Sequence, residues 1–376
     1  MGIDPTIFAG PGFIGSMFVE QRWLSKRADD PQLAAAQYER HDATANIALA
    51  LGSVAAPLVF SLVRPHLDAR TGKAGRALLK VAAAAAATAT VGDAVARTLR
   101  RRQIVDLRDS ARTSPVAVPT NATATNVERL AGAAAATAIG AGIVVASATW
   151  SGRTTAERLW RHRRVDLGTG VAAWALAIVG FDFIYYWNHR LQHETRFMWA
   201  IHVVHHNSER YNLSVALRQA VLDALGIFVP TGVLAVAGVR PRIIELSRSI
   251  NLIYQFWVHT EAIDTMGAFE KPMNTPSHHR VHHGVNPHYI DRNHGGIFIV
   301  WDKLFGTFQA EDVHPTYGIT KNLGTFSLPV IVFREYCDIA RDVVAAHGWR
   351  ERLGFVFRGP GWAYRQRGGK ATISAV

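Results

Sequence analysis

The stretch LGTGVAAWALAIVGFDFIYYWNHRLQHE, residues 167–194, decides the fold. Residues 167–187 are mostly apolar, and about 20 such residues form a helix long enough to cross the roughly 30 Å of hydrocarbon in a bilayer. The apolar run passes directly into a polar one, in which His189 and His193 stand four positions apart. Side chains at this spacing lie on one face of a helix. The stretch therefore predicts a membrane-spanning helix whose end presents two imidazoles on one face.

Further apolar stretches predict an all-α integral membrane bundle with about 4–6 membrane segments. The stretches are 47–63, 78–96, 130–150, 221–239 and 243–258. Of all the stretches, 130–150, 167–187 and 221–239 reach a full span comfortably. The Ala-rich stretch 78–96 carries Asp93, so it fits either a span packed against its neighbours or a helix lying on the membrane surface. The stretch 243–258 contains Glu245, Arg248, Asn251 and Gln255 and is too polar to face lipid on every side, so we expect it to face the bundle interior or a water-filled site.

The composition excludes several classes of protein. Of 376 residues, 49% are hydrophobic and only 19% are charged, below the roughly 25% that is usual for soluble proteins. So high an apolar content, with so few charges, argues against disorder. The excess of 41 Lys and Arg over 29 Asp and Glu is not gathered into a patch, so we expect no nucleic acid partner. A single cysteine, Cys337, excludes a disulfide scaffold.

Histidines are concentrated in one part of the chain. Twelve of the 17 lie between 189 and 294, and eight of these form three clusters, His189/His193, His202/His205/His206 and His279/His282/His283. The clusters have the spacings i, i+4 or i, i+3, i+4, which place imidazoles on one helix face. If 221–239 and 243–258 both cross the membrane, all three clusters and the intervening His259 lie at one membrane face. The sequence therefore predicts a histidine-rich helical cap on the bundle.

Eight or nine histidines exceed the coordination of one metal ion, so the cap predicts a site for two. Imidazole binds Zn, Cu, Fe and Ni alike. A zinc hydrolase needs about three ligands, and a bis-histidine haem protein, the non-enzyme alternative, needs two. Each leaves most of the histidines unexplained. A paired-iron site that activates O2 uses them all, so we expect O2-dependent oxidation of a lipid C–H bond.

Asp182 is the carboxylate that stands inside the first span. Positions seven and eleven residues further along the helix are His189 and His193, so the three side chains share a face. An ionisable group at membrane depth is costly and usually functional. We expect Asp182 to accept the second N–H of a ligand imidazole. The alternative is a hydrogen bond to a neighbouring span.

The order HxxxH, HxxHH, HxxHH after a membrane span resembles the fatty acid hydroxylase/sterol desaturase superfamily of membrane di-iron enzymes. Within it, the chain is most similar to the alkylglycerol monooxygenase branch. That closer resemblance rests on Tyr185–Arg190, Met198–His202, Tyr211–Gln219, Tyr254–Glu261, Asn286–Phe308 and Gly359–Trp362. It covers roughly residues 167–362, and residues 1–165 show nothing comparable.

The resemblance implies which side chains form the site. It implies that the irons are held by His189, His193, His202, His205, His206, His279, His282 and His283, with His259 as a ninth ligand. Glu194 matches a carboxylate that the branch requires for activity, although an ion pair with Arg190 at i−4 is the alternative. His278 and His288 are candidates for positions behind the ligands. His294 departs from the aromatic residue that the branch often has there, and fits a further ligand or a simple substitution.

The resemblance also implies the chemistry and its setting. Two Fe ions, replaceable by Zn in recombinant protein, and O2 would hydroxylate the carbon beside the ether oxygen of a glyceryl ether. Electrons would come from tetrahydrobiopterin or from another external donor. Sterol desaturation, C-4 methyl oxidation and fatty acyl hydroxylation use the same histidine motifs and stay open. We expect a bacterial inner membrane or endoplasmic reticulum location with the site on the cytoplasmic side.

The corresponding division of the chain has three parts. We expect an N-terminal membrane or amphipathic helical region at 1–128, a catalytic membrane domain at 129–310 and a C-terminal cytoplasmic tail at 311–376.

Overall fold

The computed structural model describes residues 5–110, 122–225 and 229–367, which form helices and connecting loops without a β-strand. The predicted all-α fold is thereby confirmed. In chain order the α-helices are α1 (Pro5–Ser25), α2 (Arg40–Leu67), α3 (Lys73–Ser110), α4 (Ala122–Arg153), α5 (Ala156–Trp160), α6 (Val171–Glu194), α7 (Arg196–His206), α8 (Val233–Val236), α9 (Pro241–Trp257), α10 (Pro276–His283), α11 (Val300–Phe305), α12 (Leu328–Ala345), α13 (Trp349–Phe357) and α14 (Pro360–Gln366). Short 3-10 helices lie at 31–33, 213–217, 223–225 and 267–270.

Among the described residues, four helices are long and apolar enough to cross a membrane, namely α2, α3 as far as Val105, α4 and α6. Only 11% of the apolar window of α2 is buried, and Leu51, Leu58 and Leu62 are exposed along it. A helix this apolar on nearly every side is stable when lipid, not water, surrounds it. The number agrees with the lower end of the predicted 4–6 membrane segments.

The expectation that 221–239 spans the membrane is wrong. Its described residues form a turn, a 3-10 helix at 223–225 and the four-residue helix α8. Pro230 cannot donate a backbone hydrogen bond within a helix. At Gly238 the backbone adopts φ +97°, which reverses the chain and favours glycine. The histidine clusters are therefore brought together by a short return, and not by a pair of crossings.

Helix α9 packs along α6, and of the four polar residues noted in its sequence only two lie in the interior as expected. Asn251 and Gln255 are buried, whereas Glu245 and Arg248 lie on its exposed face. An apolar cluster joins α6 and α9 to α8, with Phe181, Leu234 and Ile244 among its buried members. This cluster fixes α6, and with it the direction in which the first histidines point.

The chain divides into two compact units. One contains residues of 1–62, 150–334 and 359–376, and it includes every histidine of the three clusters. The other contains 63–149 and 335–358 and has a buried ion pair between Asp93 and Arg352. The three-part division into 1–128, 129–310 and 311–376 stays a prediction.

Candidate metal centre

A sharp corner at Thr195 brings the first two histidine clusters together. Helix α6 ends at Glu194, Thr195 is extended with φ −124° and ψ 120°, and α7 begins at Arg196. Because α7 then runs back past the end of α6, the Nε2 atoms of His189 and His202 lie 2.9 Å apart. A contact that no single helix could make is thus produced by one non-helical residue.

The third cluster lies on the eight-residue helix α10. Pro276 occupies its first position, where a missing N–H costs nothing, and the helix stops at Gly284. All eight residues are buried. Proline and glycine therefore confine the helix to the two turns that carry His279, His282 and His283.

The nine predicted ligands come together as two groups. Histidine group one consists of His189, His193, His202, His206 and His282, and histidine group two consists of His205, His259, His279 and His283. Within each group, one ring nitrogen of every member lies within 4.8 Å of those of the others. The groups adjoin, since the rings of His206 and His283 stack with centroids 4.4 Å apart. Each group is therefore composed of side chains from more than one cluster.

Backbone carbonyls fix the orientation of four of these rings. His189 Nδ1 donates to the carbonyl of His294 at 2.8 Å, and His282 Nδ1 to that of Arg292 at 2.9 Å. In group two, His205 Nδ1 donates to the Arg218 carbonyl at 3.2 Å and His259 Nδ1 to the Gln255 carbonyl at 2.7 Å. These bonds place the proton on Nδ1 and leave a lone pair on Nε2.

The lone pairs face one another, which is the arrangement that a cation requires. Nε2 of His205 and Nε2 of His259 are 3.1 Å apart although both carry lone pairs, so they repel each other unless a positive ion lies beside them. Nε2 of His193, His282 and His283 is buried without a hydrogen-bond partner among the described residues. A buried polar atom without a partner is costly. The residues thus fit two metal ions, one in each group.

The protonation states of the histidines agree with this function. Burial lowers the pKa of His259 to about 4 and that of His279 and His283 well below the usual value, and neighbouring imidazoles lower it further. The same causes lower the pKa of His202, His205, His206 and His282. Neutral imidazole is the form that binds metal.

Asp182 is buried, but among the described residues no imidazole of the histidine groups donates to its carboxylate. Its Oδ1 accepts from the Ile297 backbone N–H and from Asn251 Nδ2, each at 2.6 Å. Its Oδ2 accepts from the Phe298 N–H at 3.1 Å and from Trp301 Nε1 at 2.9 Å. With four donors already bound, the carboxylate has no place for an imidazole. The alternative, a hydrogen bond to the neighbouring helix α9, is present.

Asp182 acts on group one through the loop 291–298. The carbonyls of Arg292 and His294 in this loop receive the N–H groups of His282 and His189. The loop is anchored at its far end by Asp182, and Asp302 binds the backbone N–H of His294 at 2.7 Å. A carboxylate inside α6 thus anchors the loop whose carbonyls accept from two rings of group one.

The same loop contains strained residues at its start. Asp291 and Asn293 are non-glycine residues with φ near +58° and +55°. The side chain of Asn293 compensates, because its amide donates to the carbonyls of His278 and Gln309. Such strain persists where the surroundings impose it, commonly at functional sites. Asp291 Oδ1 also lies 3.4 Å from Nδ1 of His193.

Glu194 forms the ion pair that the sequence offered as its alternative role. Its Oε1 accepts from Arg190 Nε at 2.8 Å, and its side chain is 44% exposed. It belongs to neither histidine group. Its catalytic role stays a prediction.

The three remaining histidines of the 189–294 window have different surroundings. His288 is half exposed and pairs with Asp312 at 2.8 Å, away from the ligands. His278 is buried on α10 beside Phe308. His294 is fully buried with its ring centroid 5.0 Å from that of His193, and its Nδ1 has no partner among the described residues.

Sequence reasoning missed Asp291 and Asp302. It also missed the backbone carbonyls of Arg218, Arg292 and His294, which accept hydrogen bonds from imidazoles. The run Asp291-Arg292-Asn293-His294-Gly295-Gly296 contained a usable signal, since Asp, Asn and Gly are the residues that tolerate left-handed backbone. Nothing in the sequence assigns a backbone carbonyl to a particular imidazole.

Comparison with known proteins gives one family match. Residues 174–307 match the model of the family described as fatty acid hydroxylase. Alkylglycerol monooxygenase of Homo sapiens is 45% identical over 189 residues, 50% of this chain and 42% of its own length. The same enzyme of Danio rerio is 44% identical with the same coverage. Ornithine lipid hydroxylase of Rhizobium tropici is 29% identical over 147 residues, 36% of this chain and 41% of its own.

The chain thus spans about two fifths of the length of these curated relatives. No solved structure matches the chain. Over the matched segment, the superfamily and the branch predicted from the histidine motifs are confirmed.

Proposed function

We propose that this chain, in which residues 174–307 form a fatty acid hydroxylase domain, is a membrane di-iron monooxygenase that hydroxylates a C–H bond of a lipid. The observation that carries the proposal is the pair of adjoining groups of buried, neutral histidines. Two irons held there would supply O2 activation. Group one would hold one ion through His189, His193, His202, His206 and His282, and group two the other through His205, His259, His279 and His283.

The protein's own residues supply orientation and exclusion of water. The Nδ1 bonds to main-chain carbonyls hold the Nε2 atoms of four of the nine histidines in a fixed direction before an ion arrives. Such preorganisation avoids the cost of ordering the ligands. Burial of the rings keeps them neutral, and it keeps bulk water from the reacting carbon.

An ether lipid is the substrate that we propose, as the relatives named alkylglycerol monooxygenase suggest. Hydroxylation of the carbon beside an ether oxygen gives a hemiacetal, which separates into an aldehyde and an alcohol. We propose tetrahydrobiopterin as the electron donor by the same likeness, and the cytoplasmic side of the membrane as the location of the site. A sterol or a fatty acyl chain is the alternative substrate.

A bis-histidine haem is not favoured by the geometry. Five ring nitrogens of group one converge within 4.8 Å of one another. A flat macrocycle between any two of them would have to occupy the space that the other three fill. An electron carrier of this kind would show a Soret absorption band.

Two measurements test the proposal. Elemental analysis of the purified protein is expected to give about two metal ions per chain, with zinc in place of iron on overexpression. The iron-loaded protein in lipid, supplied with O2 and a reduced pterin, is expected to release a fatty aldehyde from a 1-O-alkylglycerol. One metal ion or fewer per chain would overturn the di-metal assignment. Product from a sterol or an acyl lipid, and none from the ether, would overturn the substrate.

A further inference from the structure

The N-terminal residues 20–46 contact the segment that carries group two, although they precede residue 174, where the family model begins. Helix α1 packs on the 3-10 helix at 213–217 and on α9, where Phe13 stacks on Phe256 with centroids 4.0 Å apart. The backbone N–H of Tyr211 donates to the carbonyl of Ala35 at 2.9 Å. The contacts are thus both apolar and polar, and they all fall within one compact unit.

Asp42, in the first turn of α2, is the acidic end of a fully buried network. Its Oδ1 accepts from Ser208 Oγ at 2.9 Å and lies 3.4 Å from Arg218 Nη1, and its Oδ2 accepts from Asn46 Nδ2 at 3.0 Å. Asn46 in turn accepts from Arg218 Nη1 at 2.7 Å. Asp42 and Arg218 are only 4% and 2% exposed, so removal of either partner would leave the other charge buried and uncompensated.

Arg218 connects this network to a ligand of group two. Its Nε donates to the Val204 carbonyl at 2.9 Å and to Asn207 Oδ1 at 3.0 Å, which fixes the end of α7. Its own carbonyl accepts the Nδ1 proton of His205. The position of that carbonyl, and hence the direction of His205 Nε2, therefore depends on where Asp42 holds the guanidinium.

Glu20, on α1, reaches the same group by a second route. Its Oε1 accepts from the hydroxyl of Thr260, the residue that follows His259. Its Oε2 accepts from Tyr38 Oη at 2.6 Å and from the Leu213 backbone N–H at 2.8 Å. Glu20 is buried, and it binds both the segment that carries His259 and the segment at Leu213.

We infer that Asp42 and Glu20 are positioning residues for histidine group two, so that the N-terminal helices complete a metal site whose ligands all lie in the hydroxylase domain. Group one has its own support in Asp182 and the loop 291–298. The two ions therefore depend on different parts of the chain. The inference rests on the proposal that the two groups hold metal ions.

The test is a Co(II) titration of the full-length protein in detergent. Binding is monitored through the visible absorption of the bound ion. His193→Ala and His279→Ala assign the binding steps to groups one and two. Asp42→Asn is expected to weaken Co(II) at group two by 10- to 100-fold, the usual effect of removing support behind a ligand, and to leave group one unchanged. Glu20→Gln is expected to act in the same direction.

Asp93→Asn is the matched control, since Asp93 is also a buried aspartate paired with an arginine. Its oxygens lie 2.7 and 2.8 Å from the guanidinium nitrogens of Arg352, in the unit without the histidine clusters. We expect it to lower the unfolding temperature and to leave both binding steps unchanged. If Asp42→Asn does not fold, Glu20→Gln decides the question.

Three outcomes separate the inference from the proposed function. Wild-type affinity for both ions in both variants would overturn the inference alone. Equal weakening of both ions in Asp42→Asn would also overturn it, because it would show a general loss of structure. A wild-type protein that binds fewer than two Co(II) ions would overturn the proposed di-metal site itself.

Discussion

Asp182→Asn is expected to weaken the metal ion of group one and to leave the overall fold intact. The substituted amide keeps one acceptor oxygen and places an NH2 group where the other oxygen accepted two hydrogen bonds. Two buried donors, either Ile297 N and Asn251 Nδ2 or Phe298 N and Trp301 Nε1, then lose their acceptor. Each such loss costs about 1–3 kcal/mol, so the free energy of unfolding should fall by about 2–6 kcal/mol.

The effect on metal binding follows from the loop. When its far end is released, the carbonyls of Arg292 and His294 no longer hold His282 and His189 in fixed orientations. Loss of such support typically costs 10- to 100-fold in metal affinity. The Co(II) titration should therefore show a weaker step for group one and an unchanged step for group two.

Asp166→Asn serves as the control for this experiment, since Asp166 forms an ion pair with Arg240 that is largely exposed. Solvent and salt screen an exposed pair of this kind, so neither stability nor metal binding should change measurably. The reasoning is refuted if Asp182→Asn lowers the unfolding temperature and binds both ions with wild-type affinity. Asp182 would then be a packing residue only.

Three further predictions concern the same centre. Glu194→Gln should lose turnover but retain both metal ions and nearly all of the stability, because the ion pair of Glu194 with Arg190 is exposed. Full activity in a product assay would show that Glu194 has no role beyond that ion pair. Gly296→Ala should weaken binding of the group-one ion and lower the free energy of unfolding by about 1–3 kcal/mol, because the new Cβ would lie 2.7 Å from Asp182 Oδ1. Titration and thermal unfolding measure the two effects, and wild-type values in both would contradict the close contact. The metal-free protein should lose stability as the pH falls from 6.5 towards 4, since the unfolded chain takes up protons that buried His259, with a pKa of about 4, does not. That histidine alone accounts for about 2 kcal/mol between pH 7 and pH 5, and a flat urea-midpoint profile over that range would refute the assignment.

The three histidine clusters could be predicted as candidate ligands because the information for their spacing is local, and their role as ligands stays a prediction. Imidazoles at i, i+3 and i+4 share a helix face whatever the surroundings, so the clusters indicated a metal site before any packing was known. The division into groups was not predictable in this way. His282 joins group one and His283 joins group two although they are adjacent in sequence, and that split depends on how α10 lies against α7.

The membrane prediction failed where hydropathy was considered without the proline and glycine residues that interrupt a helix. Residues 221–239 are apolar enough to span a bilayer, but Pro230 and Gly238 interrupt them, and the chain turns back. The opposite error affected α2, which was not counted among the comfortable spans. Its apolar window proved to lie inside a helix of 28 residues.

The partner of Asp182 could not be read from periodicity. A shared helix face with His189 and His193 was correct as a statement about α6, but the space beside the carboxylate is taken by the backbone of 297–298. Gly296, the residue before that backbone, allows the approach, since any larger residue would contact Asp182 and Asn251. A contact made by main-chain atoms leaves little trace in a sequence.

Four imidazoles of the two histidine groups donate hydrogen bonds to peptide carbonyls. This has a consequence for how the amino-acid sequence around the centre can vary. A carbonyl is supplied by every amino acid, so the side chain at position 292 can be exchanged without removing the acceptor for His282. The number of residues between Asp291 and Gly296 is more constrained, because each insertion or deletion would move the carbonyls of Arg292 and His294 relative to α6. Variation of the side chain at position 292 should therefore be tolerated, whereas variation in the length of the loop should be opposed. An engineer who wishes to tune the metals would do better to alter the loop's path than its side chains.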